Sequence, residues 1–172
     1  YGLGARISSN SWGFQTAFGG PVPDYDASSQ EFDFVVRDAQ SGTAGNQQYM
    51  VVFSAGNYGP MSSTSVSPAN AGNVVSVGAV DDQQNVALFS SRGPSDCDGV
   101  TIKPEVSAPG VSVDSSYPGG GSARLSGTSM AGPHGAGLIG LMVSAVPAIA
   151  GDVDTLEDLI RQSAVHPSFA GQ

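Results

Sequence analysis

The chain has 172 residues, of which 40% are hydrophobic and only 12% charged, with a formal net charge of −9. That length accommodates one domain with a real core, and no apolar run approaches the ~18–20 residues that a membrane-spanning helix needs. A surface this acidic, with Lys103 as its single lysine, repels phosphate backbones and argues against a nucleic-acid partner.

Residues 7–12 read as a strand, more polar than the two that follow. Residues 29–41 carry Phe32, Val35, Val36 and Ala39 at helical spacing with charges between them, which predicts an amphipathic helix. Residues 49–55 (Tyr-Met-Val-Val-Phe-Ser-Ala) and 73–80 (Asn-Val-Val-Ser-Val-Gly-Ala-Val) are continuous apolar runs. Such runs predict short strands buried on both faces, as in a parallel sheet under helices. Residues 128–146 are rich in Ala, Gly, Leu, Ile and Met and uncharged, which predicts a buried helix with Pro133 in its first turn, where proline is tolerated. Residues 152–163 predict a last helix, with Asp152 at its start, Leu156, Leu159 and Ile160 on one face and Arg161 near its end. The 24 glycines and 11 prolines fall in short clusters between these elements, as tight loops require, and there is no internal repeat. Strand alternating with helix predicts a layered α/β fold, a mostly parallel sheet flanked by helices.

Ser129 follows Gly127 and opens the apolar helix. Its N–H therefore belongs to the unsatisfied donors of a helix N-terminus, where negative charge is favoured. A serine so placed is either a capping residue or a nucleophile, the latter only if a base takes its proton and donors hold the oxyanion. Asn57, in Ser54-Ala55-Gly56-Asn57, either aims its amide NH₂ at such an oxyanion or is a turn residue after Gly56. Cys97 is the single cysteine, so there is neither an intrachain disulfide nor a zinc cluster. It sits in the polar turn Ser95-Asp96-Cys97-Asp98-Gly99 with no recognisable His partner and is not read as a catalytic thiol. The Asp96-x-Asp98-Gly99 turn has two carboxylates, which reads as a solvated turn ahead of a structural calcium site.

Taken together and in order, five segments resemble the subtilase family of subtilisin-like serine peptidases, in particular its bacillopeptidase F-like and related secreted bacterial branch. They are Ser11-Trp12-Gly13, Ser54-Ala55-Gly56-Asn57, Phe89-Ser90-Ser91-Arg92-Gly93-Pro94, Lys103-Pro104-Glu105-Val106-Ser107-Ala108-Pro109-Gly110 and Gly127-Thr128-Ser129-Met130-Ala131-Gly132-Pro133-His134. The likeness runs from about Arg6 to about Ser163, and the last segment is its most specific part. It implies part of a subtilisin-like fold and a secreted, extracellular serine endopeptidase that cleaves peptide or protein substrates through an acyl-enzyme at Ser129. No cofactor is implied for the chemistry. Asn57 matches the family's oxyanion-hole Asn, which works with the Ser129 N–H. Ser11, Trp12 and Gly13 match the edge segment that takes extended substrate as an added strand. Ser54, Ala55 and Gly56 match the opposite wall of the primary specificity pocket. Val66, just before Ser67-Pro68, falls near the pocket floor, where many relatives have glycine; a branched side chain there makes the pocket shallower. His134 matches a structural histidine rather than the base, and His166, before Pro167, is expected to be solvated.

A triad needs an Asp and a base His beside the Ser. The family's Asp-Ser/Thr-Gly and His-Gly-Thr-His motifs lie N-terminal to the matched stretch, and neither occurs in this chain. Asp24 and Asp26 lie in a Pro-rich loop that looks like an insertion after Gly13, and Asp81, Asp82, Asp96 and Asp98 lie in turns, so none replaces the missing acid. A chain that begins at Tyr1 with no signal-like stretch is expected to be processed, excised or truncated there. Residues 1–172 are thus expected to be the C-terminal portion of a subtilase catalytic domain. Its partners would be the N-terminal half of that domain and, by resemblance, a pro-segment. Alone, it is expected to be inactive and to leave apolar faces uncovered. Two other readings compete. An inactive half retained as a peptide-binding or structural module predicts loss of Ser129 or Asn57, and both are intact. An α/β-hydrolase esterase or lipase wants Gly-x-Ser-x-Gly with Asp and His following; Asp152, Asp154 and His166 follow, but the fifth position is Ala131.

Overall fold

The two apolar runs form the centre of the sheet. In the computed structural model, which describes residues 2–165, β2 (Met50–Ser54) and β3 (Val75–Val80) are buried along their whole length. With β1 (Ile7–Asn10) and β4 (Val106–Pro109) they make a parallel sheet in the order β1-β2-β3-β4, paired Ile7 to Met50, Val52 to Val75 and Val77 to Val106. His166 lies outside the described residues.

Pleating sends alternate residues of β2 to opposite faces. On one face lies α2 (Thr128–Ala145), so close that a Cβ at Gly132 would meet Ser54 Oγ at 2.9 Å and one at Gly135 would meet Val77 Cγ2 at 3.0 Å. On the other lies α1 (Ala27–Arg37), whose Phe32 ring packs edge-on against Phe53 at 4.9 Å. Val51, Val52, Phe53, Val75 and Val77 are at most 2% exposed, and full burial of each such side chain is worth ~1.5–3 kcal/mol. The last helix, α3 (Val153–Ser163), adds Val153, Leu156 and Ile160 to this core, whereas Leu159, expected on the same face, is 42% exposed.

Several elements differ from expectation, β4 among them, for which no strand was expected. The 3.6-residue spacing placed the first helix at 29–41, but Asp26 starts it earlier by accepting from the Ser29 N–H at 3.0 Å. The segment after β4 forms an antiparallel hairpin, β5 (Val113–Tyr117) and β6 (Gly121–Leu125), which no apolar run announced. Pro133 sits in the second turn of α2, not the first. There it withholds the N–H that would normally reach the Ser129 carbonyl, and Ser11 Oγ donates to that carbonyl instead, at 3.1 Å. Nor is α2 buried all round: Leu138 and Leu141 are 46% and 70% exposed. No described helix is long and apolar enough to cross a membrane.

Two polar clusters pin the loops. Lys103 Nζ, fully buried, lies 2.5 Å from Glu105 Oε1 and donates to the Val74 carbonyl at 2.9 Å, while Glu105 Oε2 accepts from the Ser76 N–H at 2.7 Å. The second cluster holds the loop before α1. Asp26 Oδ1 accepts from Ser67 Oγ at 2.7 Å, Ser29 Oγ donates to Asn70 Oδ1 at 2.6 Å, and Asn70 Nδ2 donates to the Pro23 and Asp24 carbonyls. Burial pushes the Asp26 carboxyl up, but hydrogen bonds from Ser67 and Ser29 outweigh it and hold the group below its ordinary range. A carboxyl depressed in the fold stabilises it above the unfolded value of ~3.9, and that contribution drains away as pH falls through the folded value. The urea midpoint should therefore drop below about pH 4 in the intact protein and drop less in Asp26→Asn, which keeps the acceptor oxygen but does not titrate. Superimposable pH profiles for the two proteins would rule out this role for Asp26.

Candidate active site

The carboxyl ends of β1 and β2 converge on the N-terminus of α2, the side of a parallel sheet where ligands bind. A cleft of about 300 Å³ opens there. Among its lining residues are Ser11, Trp12 and Gly13 after β1, Ser54, Gly56 and Asn57 at the end of β2, Val66, and Ser129. Ala55 is the one expected site residue that does not line it. It is fully buried, with its N–H donating to the Val77 carbonyl and its C=O accepting from the Val66 N–H. Phe14, Gln15, Tyr58 and Thr128 line the cleft as well and were not anticipated.

Thr128 organises the site. Its N–H and its Oγ1 both donate to Asn57 Oδ1, at 2.9 and 3.0 Å. Its Oγ1 accepts from the Gly56 N–H at 3.2 Å, and its carbonyl accepts from Ser54 Oγ at 2.9 Å. A hydroxyl next to the expected nucleophile was the available signal for it. With the Asn57 oxygen held by two donors, the amide NH₂ takes the other side of the fork. A Cβ on Gly127 would lie 3.6 Å from Asn57 Nδ2 and 3.7 Å from the Ser129 nitrogen. Asn57 Oδ1 lies 3.7 Å from the same point, so the Asn57 amide and the Ser129 nitrogen flank Gly127 together. The Ser129 N–H lies in the first turn of α2, where no intrahelical acceptor exists.

Ser129 itself is half-buried at the cleft. Among the described residues no side chain is hydrogen-bonded to its hydroxyl; the nearest histidine in sequence, His134, is exposed and turns its Nδ1 to the Met130 carbonyl at 2.8 Å. Beyond Ser129 the surface continues as a groove of about 770 Å³ between α2 and the β5–β6 hairpin, lined by Met130, Leu138, Leu141 and Leu125. Trp12 is 45% exposed and anchored by edge contacts to Phe14 and Phe53 and a tilted contact to Phe32, with its indole N–H on Asn10 Oδ1 at 3.3 Å.

The carboxylates of the Asp96–Asp98 turn do not gather with others: no cluster of three or more His, Cys, Asp or Glu occurs among the described residues. Asp98 takes Thr101 Oγ1 and the Thr101 and Val100 N–H groups, and these hold its carboxyl down at about 2.

A model of the subtilase family matches residues 2–171. Subtilisin DY of Bacillus licheniformis is 44% identical over 102 residues, 58% of this chain and 34% of the relative. Bacillopeptidase F of Bacillus subtilis (strain 168) is 41% identical over 119 residues, 65% of this chain and 8% of the relative. Among solved structures, sphericase superposes with a TM-score of 0.74 at 27% identity, covering 96% of this chain and 51% of that one. The patellamide maturation protease PatA superposes with a TM-score of 0.72 at 28% identity, covering 99% and 56%. The chain thus spans about a third or less of these curated relatives and about half of these solved chains.

Proposed function

The chain belongs to the subtilase family, and on that premise we propose that it is the C-terminal, nucleophile-bearing portion of a serine endopeptidase catalytic domain. The observation that carries this reading is the meeting of Ser129, its own N–H and the Asn57 amide in one cleft at a helix N-terminus. Ser129 Oγ attacks the scissile carbonyl carbon while the triad His, supplied by the N-terminal half of the domain, takes its proton and then passes it to the departing amine nitrogen. The carbonyl oxygen takes the negative charge between Asn57 Nδ2 and the Ser129 N–H, the amine leaves, and water hydrolyses the acyl-enzyme. A peptide or protein substrate lies extended along Ser11, Trp12 and Gly13 as an added strand, with Ser54 and Gly56 across from it.

The base and the Asp that orients it are contributed by the N-terminal half of the same domain. The apolar groove beside Ser129, with Leu138 and Leu141 exposed, is where that half would be covered by and cover this one. Without it, Ser129 has a place for the oxyanion but no acceptor for its proton, so the isolated chain would be inactive. No cofactor enters the chemistry. The Ser95–Gly99 turn is solvated in this reading, a pro-segment is a further partner, and the protein is secreted.

A fluorophosphonate probe tests the reading, because it reacts only with an activated serine. In the intact domain it should add to Ser129, located by peptide mass spectrometry, and in the chain of residues 1–172 alone it should not. Failure to label in the intact domain would leave a peptide-binding module instead of an enzyme.

A further inference from the structure

We propose that Ser54 is a positioning residue of the peptidase site: its hydroxyl, bound to the Thr128 carbonyl, aims and polarises the Ser129 N–H, the backbone donor to the oxyanion. This rests on the peptidase reading above. The carbonyl of Thr128 and the N–H of Ser129 belong to one planar peptide unit. A partner that fixes the direction of the carbonyl therefore fixes the direction of the N–H on the opposite side. Ser54 Oγ donates to that carbonyl at 2.9 Å. A hydroxyl has one proton, and the other acceptor within reach, Ser11 Oγ, is farther away at 3.4 Å. The proton thus belongs to the carbonyl. Hydrogen bonds in a chain also strengthen one another: an amide whose oxygen is engaged is a stronger donor at its nitrogen, by about 10–30% per bond. The Ser129 N–H lies in the first turn of α2, free of any intrahelical acceptor, so this gain goes to whatever the cleft binds.

The surroundings are arranged for this contact. Ser54 ends β2 and is 4% exposed, so its hydroxyl must be satisfied inside the protein. Gly132 faces it from the next turn of α2. A Cβ at Gly132 would lie 2.9 Å from Ser54 Oγ, but 3.6 and 3.8 Å from the Ser54 nitrogen and Cα. The glycine therefore clears room for the hydroxyl in particular. The neighbouring tie from Ser11 is of another kind. Ser11 Oγ donates to the Ser129 carbonyl at 3.1 Å. That peptide unit carries the Met130 N–H, which is already engaged by the Gly127 carbonyl at 3.0 Å. Of these two hydroxyls, only the one on Ser54 shares a peptide unit with the proposed oxyanion donor. Thr128 Oγ1 is occupied elsewhere, by Asn57 Oδ1 and the Gly56 N–H. The two donors are thus set separately, the Asn57 amide by the Thr128 side chain and the Ser129 N–H by Ser54.

The experiment uses the intact catalytic domain, this chain with its N-terminal half. Steady-state kinetics on a peptide substrate are measured beside the titration of a peptidyl trifluoromethyl ketone labelled with ¹³C at its carbonyl. Ser129 Oγ adds to that carbon, the serine proton passes to the base, and the former carbonyl oxygen takes the place of the oxyanion. The pKa of that oxygen, read by ¹³C NMR, reports how well the site holds negative charge. Losing one oxyanion donor costs about 10²–10³ in turnover, so weakening one by about 10–30% corresponds to about 2–8-fold. Ser54→Ala should lower kcat by that factor with KM little changed, and should raise the adduct's pKa by about 0.2–0.9. Ser54→Thr, which keeps the hydroxyl, should restore both. Gly132→Ala leaves Ser54 in place but pushes its hydroxyl off the carbonyl, so it should reproduce both changes, and it serves if Ser54→Ala does not fold. An adduct pKa equal to that of wild type in either alanine variant overturns the role of Ser54, even if kcat falls, and leaves the peptidase reading standing. Absence of both hydrolysis and adduct formation in wild type removes the peptidase reading and the proposal with it.

Discussion

On the proposed peptidase reading, replacing Asn57 with Asp in the intact catalytic domain will cut kcat by about 10²–10³, a magnitude carried over from subtilisin, where one oxyanion-hole amide was removed, while leaving the domain folded. The two functions of this side chain are separable because they use different atoms. Oδ1 is an acceptor for the Thr128 N–H and hydroxyl, and Asp retains it, with a charge that a helix N-terminus favours. Nδ2 is the donor that the proposed oxyanion site would use, and Asp loses it and adds like charge there. Because the interaction matures only as charge develops, the loss should fall on kcat with KM little changed. Asn57→Ala removes both atoms, so it should lose turnover and, in addition, about 0.5–2 kcal/mol of stability, the usual cost of an uncapped helix start. Steady-state kinetics beside urea unfolding distinguish the two variants. Wild-type turnover in Asn57→Asp would remove Asn57 from the oxyanion site.

The largest expected stability effect lies away from the cleft. Lys103→Met leaves Glu105 buried without its cation and should cost about 3–5 kcal/mol, the range for breaking a buried ion pair from one side. Burial already pushes the Glu105 carboxyl up, against the pull of Lys103. With the lysine gone that rise grows. The variant's deficit should therefore shrink as pH falls and the carboxyl takes up a proton, since a raised acid pKa favours the fold only where the group is neutral. The double variant Lys103→Met/Glu105→Leu should recover part of the loss, because no buried charge remains. It should not recover all, because the Val74 carbonyl and the Ser76 N–H lose their partners. Urea unfolding of the intact domain from about pH 4 to 8 measures all three. A single variant within about 1 kcal/mol of wild type would mean that water or a rearranged side chain satisfies Glu105.

What could be read in advance depended on where the information lay. The central strands β2 and β3 were legible because both of their faces are buried, which forces unbroken apolar runs. Strand β4 alternates half-buried and exposed and ends at Pro109, and the β5–β6 hairpin is almost wholly exposed, so neither wrote a hydrophobic signature. The position of α2 was legible, its burial was not. Leu138 and Leu141 look like core residues by type, and composition does not say whether the covering surface belongs to the same segment. Ser129 and Asn57 were singled out through motif order, but their coupling through Thr128 links positions 71 residues apart and has no local trace. Val66 was visible only through the family likeness.

Pro133 carries a further consequence. A proline in a helix is usually counted as a defect, yet this one releases the carbonyl of Ser129, and Ser11, 118 residues away in sequence, takes it up. The rail on which an extended peptide would lie and the residue that would attack it are thereby fastened to each other by a hydrogen bond. Their spacing is a property of the polypeptide's own framework, already set before any substrate arrives.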